Sequence, residues 1–259
     1  MHPAELGELA AFRDLFAAAP PELGAHARDL DGALCVRLES LAGAVEFNRV
    51  LGLGLAEPAR EELLDELESF FAGQPPCVAL APEARPDELP SWLEQRGLGA
   101  GYAWTKFARS TSSPPRPATA LRVERVAEGQ AFAAAAVGGY GLPAALVPWL
   151  AALAGRDGWH CFVAFDGLTP AGAGALYVAG EVGWLGIGAT VPELRGRGAQ
   201  SAILAARIDA AAAAGCTVVV TETGSPVDGK PGPSYRNIVR AGFEPAYERA
   251  NYVPRATAS

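Results

Sequence analysis

The segment Val182–Thr223 constrains the fold of this chain more than any other. It opens with VGWLGIGATV, which reads as a strand, turns through PELRGRGAQ, and continues into the alanine-rich SAILAARIDAAAAAG. It ends in CTVVVTET, a β-branched run suited to a strand covered on both faces. Strand, helix and strand make a crossover. A crossover commits the chain to a sheet with helices packed against it.

The flanking residues extend this pattern. Upstream, TALRVERV alternates as a strand, and EGQAFAAAAVGGY and LPAALVPWLAALAG read as helices, the second with Pro143 in its first turn, where a missing N–H costs nothing. WHCFVAFDG, AGAGALYVAG and VGWLGIGATV follow as strands, and the short Gly- or Asp-bearing turns between them imply an antiparallel meander. Downstream, SYRNIVRAG reads as a short helix closed by Gly242, and FEPAYERANYV as a terminal strand or hairpin. The order β α α β β β α β α β predicts an α/β (α+β) fold with a mixed, mostly antiparallel central sheet and helices on both faces.

A Ser-, Thr- and Pro-rich stretch, RSTSSPPRPATA, cannot hold a regular element and reads as a linker. The expected division is an N-terminal domain over 1–110, a linker over 111–118 and a C-terminal domain over 119–259. The first half alternates in the same way: AVEFNRVLGLGL (strand), PAREELLDELESFFAG (helix), PCVALAP (strand), PDELPSWLEQRG (helix) and AGYAWTKFAR (strand). LEQRGLGAGY in the first half parallels NIVRAGFEPAY in the second, so the chain reads as an internal duplication. The competing reading is the alternation common to any α/β chain.

Bulk properties exclude several function classes. The formal net charge is -8 with no basic block, so the electrostatic footprint expected for nucleic acid is missing. No apolar stretch reaches the roughly 18 to 20 residues of a membrane span, and the N-terminus lacks a basic region before an apolar run. A soluble, cytoplasmic protein with no membrane partner is the expectation. Cys35, Cys77, Cys161 and Cys216 are far apart in sequence and unpaired with histidine, which argues for core residues and against a metal site. His160 opens an apparent strand and reads as structural.

The chemistry-bearing feature is the turn inside the crossover. Gly196 and Gly198 stand at the mouth of the alanine-rich helix. Glycine lets the backbone turn sharply and lets a ligand approach it closely. The first N–H groups of that helix lack intrahelical partners and lie at the positive end of its dipole, which suits a phosphate group. Arg195 and Arg197 add positive charge. The stretch is neither a Walker A loop nor a dinucleotide GxGxxG, and alone it reads either as an anion cradle or as a turn.

In this setting the chain resembles the GNAT acetyltransferase superfamily, whose motif is Arg/Gln-x-x-Gly-x-Gly/Ala between the fourth strand and the third helix. Arg195, Gly198 and the preceding ATVPEL match it, and the closing RAGFEPAYERANYV is similar to the family's Gly-Phe and paired strands. The element order matches over Thr119 to about Val253. The resemblance implies acetyl-CoA, or another acyl-CoA, as donor. Gly188, Ala189 and Thr190 would line its pantetheine arm, and the amides of Gly196, Arg197, Gly198, Ala199, Gln200 and Ser201 would hold its pyrophosphate. Gln200 departs from the motif's final Gly or Ala. A β-bulge near Gly186 or Gly188 would aim an N–H at the thioester carbonyl, and Asn237 would hydrogen-bond the cofactor or pair locally.

Many family members carry a proton-donating tyrosine where this chain has Ile238. Tyr235, one turn earlier, is the substitute acid or else a packing residue. Glu222 in VVTETG is the candidate base or an ion-paired carboxylate. Tyr140, Trp149, Trp159 and Trp184 line an acceptor pocket or fill the core, and VGGYGLP is a lid or a plain loop. At the equivalent of the cradle the first half has LAEPARE, with Glu57, Glu61 and Glu62 nearby and no glycine pair, so it resembles a degenerate unit without a donor site. The expected function is N-acetyl transfer from acetyl-CoA to a small-molecule amine. The alternative is a non-catalytic acyl-CoA-binding regulatory or scaffold protein.

Overall fold

The computed structural model describes residues 1–74 and 76–255. Strands β1 (Ala25–Leu30), β2 (Ala33–Leu38), β3 (Arg49–Leu51), β4 (Cys77–Leu80) and β5 (Leu98–Ser110) belong to the first half of the chain. The second half supplies β6 (Arg122–Val126), β7 (Trp159–Asp166), β8 (Thr169–Ala179), β9 (Val182–Thr190), β10 (Val218–Gly224) and β11 (Glu244–Pro254). The helices are α1 (Pro3–Ala17), α2 (Leu63–Phe71), α3 (Leu89–Gln95), α4 (Gln130–Tyr140), α5 (Val147–Ala151), α6 (Ala199–Ala213) and α7 (Pro233–Arg240). No helix among the described residues is long and apolar enough to cross a membrane.

All eleven described strands form one sheet in the order β1-β2-β3-β4-β11-β5-β10-β9-β8-β7-β6. The pairing is antiparallel except for β3 with β4 and β9 with β10. The centre of the sheet explains the architecture. The two closing strands have exchanged places: β5 of the first half lies between β10 and β11, and β11 of the second half lies between β4 and β5. From this central pair outward, each side meets a parallel pair and then antiparallel strands, so the two halves repeat one order of pairing. Among the described residues the first half has no counterpart of β6. The terminal strand is therefore single, and its paired partner is β5, along a register running from Glu244↔Ala108 to Pro254↔Leu98. Pro245, which has no N–H to give a ladder, stands at a bulge in this pair.

Helix α1, capped by His2 Nδ1 accepting from the Ala4 N–H at 3.1 Å, crosses from one half to the other. Its Gly7 lets it lie close to the sheet, since a Cβ there would meet Val182, Trp184 and Val220 at 3.1 to 3.3 Å. Phe12 packs edge-on against Trp184, and Phe16 against Trp149, with ring centroids 6.0 and 5.4 Å apart. Burying side chains of this size contributes about 1.5 to 3 kcal/mol each. The same helix buries two carboxylates, Glu5 and Glu8, which the core must neutralise. On the opposite face, α6 uses small residues to approach the sheet, burying Ala199, Ala202, Ala205 and Ala211 beside Ile203, Leu204 and Ile208.

Several elements are shorter or differently placed than the sequence pattern predicts. AVEFNRVLGLGL yields only the three residues of β3, and PAREELLDELESFFAG becomes helical at Leu63. LPAALVPWLAALAG divides into a 3-10 turn at Ala144–Leu146 and the short α5, with Pro148 in the first turn of α5. In VGGYGLP, Val137–Tyr140 are helical and Gly141 is the left-handed cap of α4. Residues 111–120 form neither helix nor strand. All four cysteines are buried, and burial pushes the Cys35 and Cys161 thiols up to about 12.

Candidate active site

The site begins where the parallel pair opens. β9 and β10 pair only over Val182–Trp184 against Val218–Val220. Beyond that point β10 stays with β5 as far as Gly224↔Trp104, while β9 stays with β8 as far as Thr190↔Gly172. The Thr221 hydroxyl donates to the Leu185 carbonyl at 2.8 Å in the crotch of the split. β9 carries a bulge just past it: Ala175 pairs with Gly186 but Ala173 with Ala189, and Ile187 takes φ +50°. Residue 186 has to be glycine, because a Cβ there would fall inside the Trp184 ring. Gly188, Ala189 and Thr190 all lie on the part of β9 that has left β10.

The loop that follows feeds the head of α6. Gly196 and Gly198 adopt φ +79° and +88°, conformations that an L side chain strains to reach. No side chain among the described residues caps α6, which leaves the first-turn amides of Ala199, Gln200 and Ser201 open to a ligand. Two of the loop's expected contributors have local partners. The Arg197 guanidinium pairs with Asp166, and its carbonyl accepts from the Thr119 hydroxyl at 3.0 Å. Asn237 Nδ2 donates to Gln200 Oε1 at 2.7 Å and its Oδ1 accepts from Arg240 at 2.7 Å, which ties α7 to the first turn of α6.

A cavity of about 500 Å³ starts at this point and passes through the split sheet. Gln200, Leu204, Arg207, Ser234 and Ile238 line it from α6 and α7, Gly186, Ile187, Gly188, Thr221 and Glu222 from β9 and β10, and Phe12, Phe47, Arg49 and Trp104 from the first half of the chain. Both halves of the chain therefore wall it. Arg207 is 3% exposed and pairs with no carboxylate among the described residues; it donates from Nη1 to the Ala175 and Gly186 carbonyls at 3.0 Å each. Burial pulls its guanidinium down to about 10, with Tyr140 acting weakly the other way. Tyr140 reaches in from the end of α4 and donates to the Gly188 carbonyl at 3.0 Å. Burial of its phenol pushes the pKa up to about 12, although the residue as a whole is 52% exposed.

Glu222 stands at the centre of a buried charge cluster. Its Oε2 lies 2.6 Å from Lys106 Nζ and 2.9 Å from Arg249 Nη2. Lys106 is also 2.6 Å from Glu8, while Arg249 binds Glu8 through both terminal nitrogens and reaches Glu5 at 2.9 Å. The Tyr247 hydroxyl donates to the other oxygen of Glu5 at 2.6 Å. The two central carboxylates diverge in their protonation. Burial would raise Glu8, but Arg249, Lys106 and Arg49 together hold it well below the usual carboxylate range. Burial, and then the Glu8 charge, push Glu222 above that range despite the same cations. Of the two, Glu8 is therefore the more firmly ionised.

Of the sequence-derived residues, the structure gathers Gly188, Gln200 and Glu222 around the cavity, with Ala199 and Ser201 in the same first turn as Gln200. Tyr235 is elsewhere: its ring packs edge-on against Phe107 at 5.0 Å, and Ser234 and Ile238 line the cavity instead. Of the four aromatics, Tyr140 and Trp184 line the cavity, while Trp149 and Trp159 are core residues. Sequence reading missed Arg49, Lys106, Arg207 and Arg249, although Arg49, Arg207 and Arg249 are each the lone basic residue of their element. It also missed Glu5 and Glu8, which share one face of α1 at a spacing of three.

No protein-family model matches this chain, and no curated protein does. Solved structures do. A GCN5-related N-acetyltransferase from Kribbella flavida superposes with a TM-score of 0.66 at 15% identity, over 97% of this chain and 96% of that one. A tandem GNAT protein from the clavulanic acid biosynthesis pathway, solved without acetyl-CoA, gives 0.58 at 16% identity over 96% and 92%. A putative acetyltransferase of the GNAT family from Novosphingobium aromaticivorans gives 0.56 at 15% over 99% and 100%. The chain has the GNAT fold. It has that fold in the two-unit form, with the opened β9/β10 pair in the second unit.

Proposed function

We propose that this protein is an N-acyltransferase that moves an acetyl group from acetyl-CoA to the amine of a small molecule. The observation that carries the reading is the continuity of the site. The uncapped head of α6 adjoins the opened edge of β9, and one cavity runs from there past the bulge to Glu222. A pyrophosphate suits the free amides of Ala199 to Ser201, and an extended pantetheine arm suits the unpaired edge at Gly188 to Thr190. The amine attacks the thioester carbonyl, so a C–N bond forms, and the C–S bond breaks as the intermediate collapses. An N–H at the bulge stabilises the developing oxyanion, an effect worth about 10² to 10³ in rate where measured in other enzymes. Glu222 takes the amine proton through water. The leaving thiolate receives a proton from Tyr140, whose raised pKa keeps it protonated and which already touches Gly188.

A second reading, an acyl-CoA-binding regulatory or scaffold protein, rests on Ile238, an apolar side chain in the cavity wall where the family resemblance calls for tyrosine. Thiol release from acetyl-CoA against a panel of small amines separates the two. Amine-dependent release supports the enzyme. Tight CoA binding without release for any amine supports the binding protein, and no CoA binding contradicts both.

A further inference from the structure

Arg49 comes from β3 of the first half, is 1% exposed, and lines the cavity. Its guanidinium lies over the Trp104 ring at 4.9 Å and near Phe12 at 5.8 Å. Stacking holds the plane of the fork but engages none of its in-plane N–H groups. Its nearest carboxylate contact, Nη1 to Glu8 Oε1, is 3.8 Å, beyond hydrogen-bond range, and Glu8 is already bound by Lys106 and Arg249. Nε and Nη2 are buried with no hydrogen-bond partner among the described residues. Buried donors of a charged group are almost always matched, so this pair asks for an acceptor from outside the chain.

The other charges facing the space narrow the choice. Glu222 and the exposed Glu46 also line the cavity, and the other lining cation among the described residues, Arg207, has its Nη1 spent on backbone carbonyls. Phe12, Phe47, Trp104 and Trp184 supply aromatic walls. We propose that the molecule bound here carries a carboxylate, received by the Arg49 fork, and an amine, directed at Glu222. The substrate class is an amino acid with an apolar, aromatic-sized side chain. The first half of the chain thereby supplies acceptor specificity to a reaction carried out in the second. The words acceptor and substrate rest on the acyltransferase reading, whereas the carboxylate site does not.

The test is a calorimetric titration of wild-type protein and Arg49→Gln with L-phenylalanine, L-phenylalaninamide and phenethylamine. For the wild type, phenylalanine binds roughly 100-fold more tightly than either analogue, because only it matches the buried fork. For Arg49→Gln that preference collapses to about threefold or less, and Arg49→Lys, which keeps the charge without the fork, retains about tenfold. Equal binding of the three compounds by the wild type, or no binding of any, overturns the proposal whether or not the variants fold. Thiol release from acetyl-CoA is followed in parallel. Carboxylate-selective binding without release refutes the acyltransferase reading and leaves the Arg49 site standing; unselective release with all three does the reverse.

Discussion

Lys106 Nζ lies 2.6 Å from Glu222 Oε2, so a strand of the first half holds the candidate base of the second. The contact is a direct product of strand exchange, since β5 sits beside β10 with Lys106 opposite Glu222 in register. It also sets the sign of a pH effect. Glu222 must be ionised to accept a proton, and its pKa is raised by burial and by Glu8. Turnover therefore falls as pH drops through a value above the ordinary Glu pKa of about 4.3. Lys106→Met removes a cation that favours the ionised form, so the acid limb of the kcat/KM profile moves to higher pH. Glu222→Gln removes the limb and lowers kcat by about 10² or more, with CoA affinity unchanged.

Stability should depend on Glu8 in the opposite sense to Glu222. The folded pKa of Glu8 is depressed, so its contribution is complete above its unfolded value and is lost as pH falls through the folded one. Below about pH 4.3 the wild type loses stability through this group. Glu222, with a raised folded pKa, contributes a loss of stability as pH rises from its unfolded value to its folded one. Glu8→Gln leaves Lys106 and Arg249 short of a counter-ion and costs about 3 to 5 kcal/mol at neutral pH. Its denaturant midpoint then changes less with pH on the acid side than that of the wild type.

Two tyrosines can be told apart by their surroundings. Tyr140→Phe removes the phenol beside Gly188 and should lower kcat by about 10- to 100-fold. Tyr235→Phe keeps the packing on Phe107 and removes no group that lines the cavity, so kcat should change by less than about twofold. Steady-state kinetics with a saturating amine reads both. The reverse ranking would move the proton donor to α7.

The second half was largely legible because its signals are local. Gly196 and Gly198 announce a turn that only glycine fits, and the β-branched run Val218–Val220 announces a buried strand. The first half was less so. Asp31-Gly32, with both residues at positive φ, is a hairpin signal between β1 and β2 that stands outside the strand-helix alternation of the rest of that half. The exchange of β5 and β11 was not legible at all, because a strand's pattern encodes which face is buried and not which strand lies beside it. The charge cluster depends on that exchange: Lys106, Glu222 and Arg249 are distant in sequence and meet only once the closing strands have crossed. Tyr235 was placed by helical spacing alone, and Phe107, itself brought in by the exchange, supplies its partner.

The central claim, that the second half holds the single donor site at the head of α6, is tested most directly by titrating CoA into the wild type and into Ser201→Glu. Ser201 lies in the first turn of α6, where a carboxylate stabilises the helix by about 0.3 to 1 kcal/mol while repelling a pyrophosphate. One CoA binds per wild-type chain and, for Ser201→Glu, affinity is expected to fall by about tenfold or more in a protein whose Tm is unchanged or higher. Two sites per chain, or full affinity in Ser201→Glu, would contradict it.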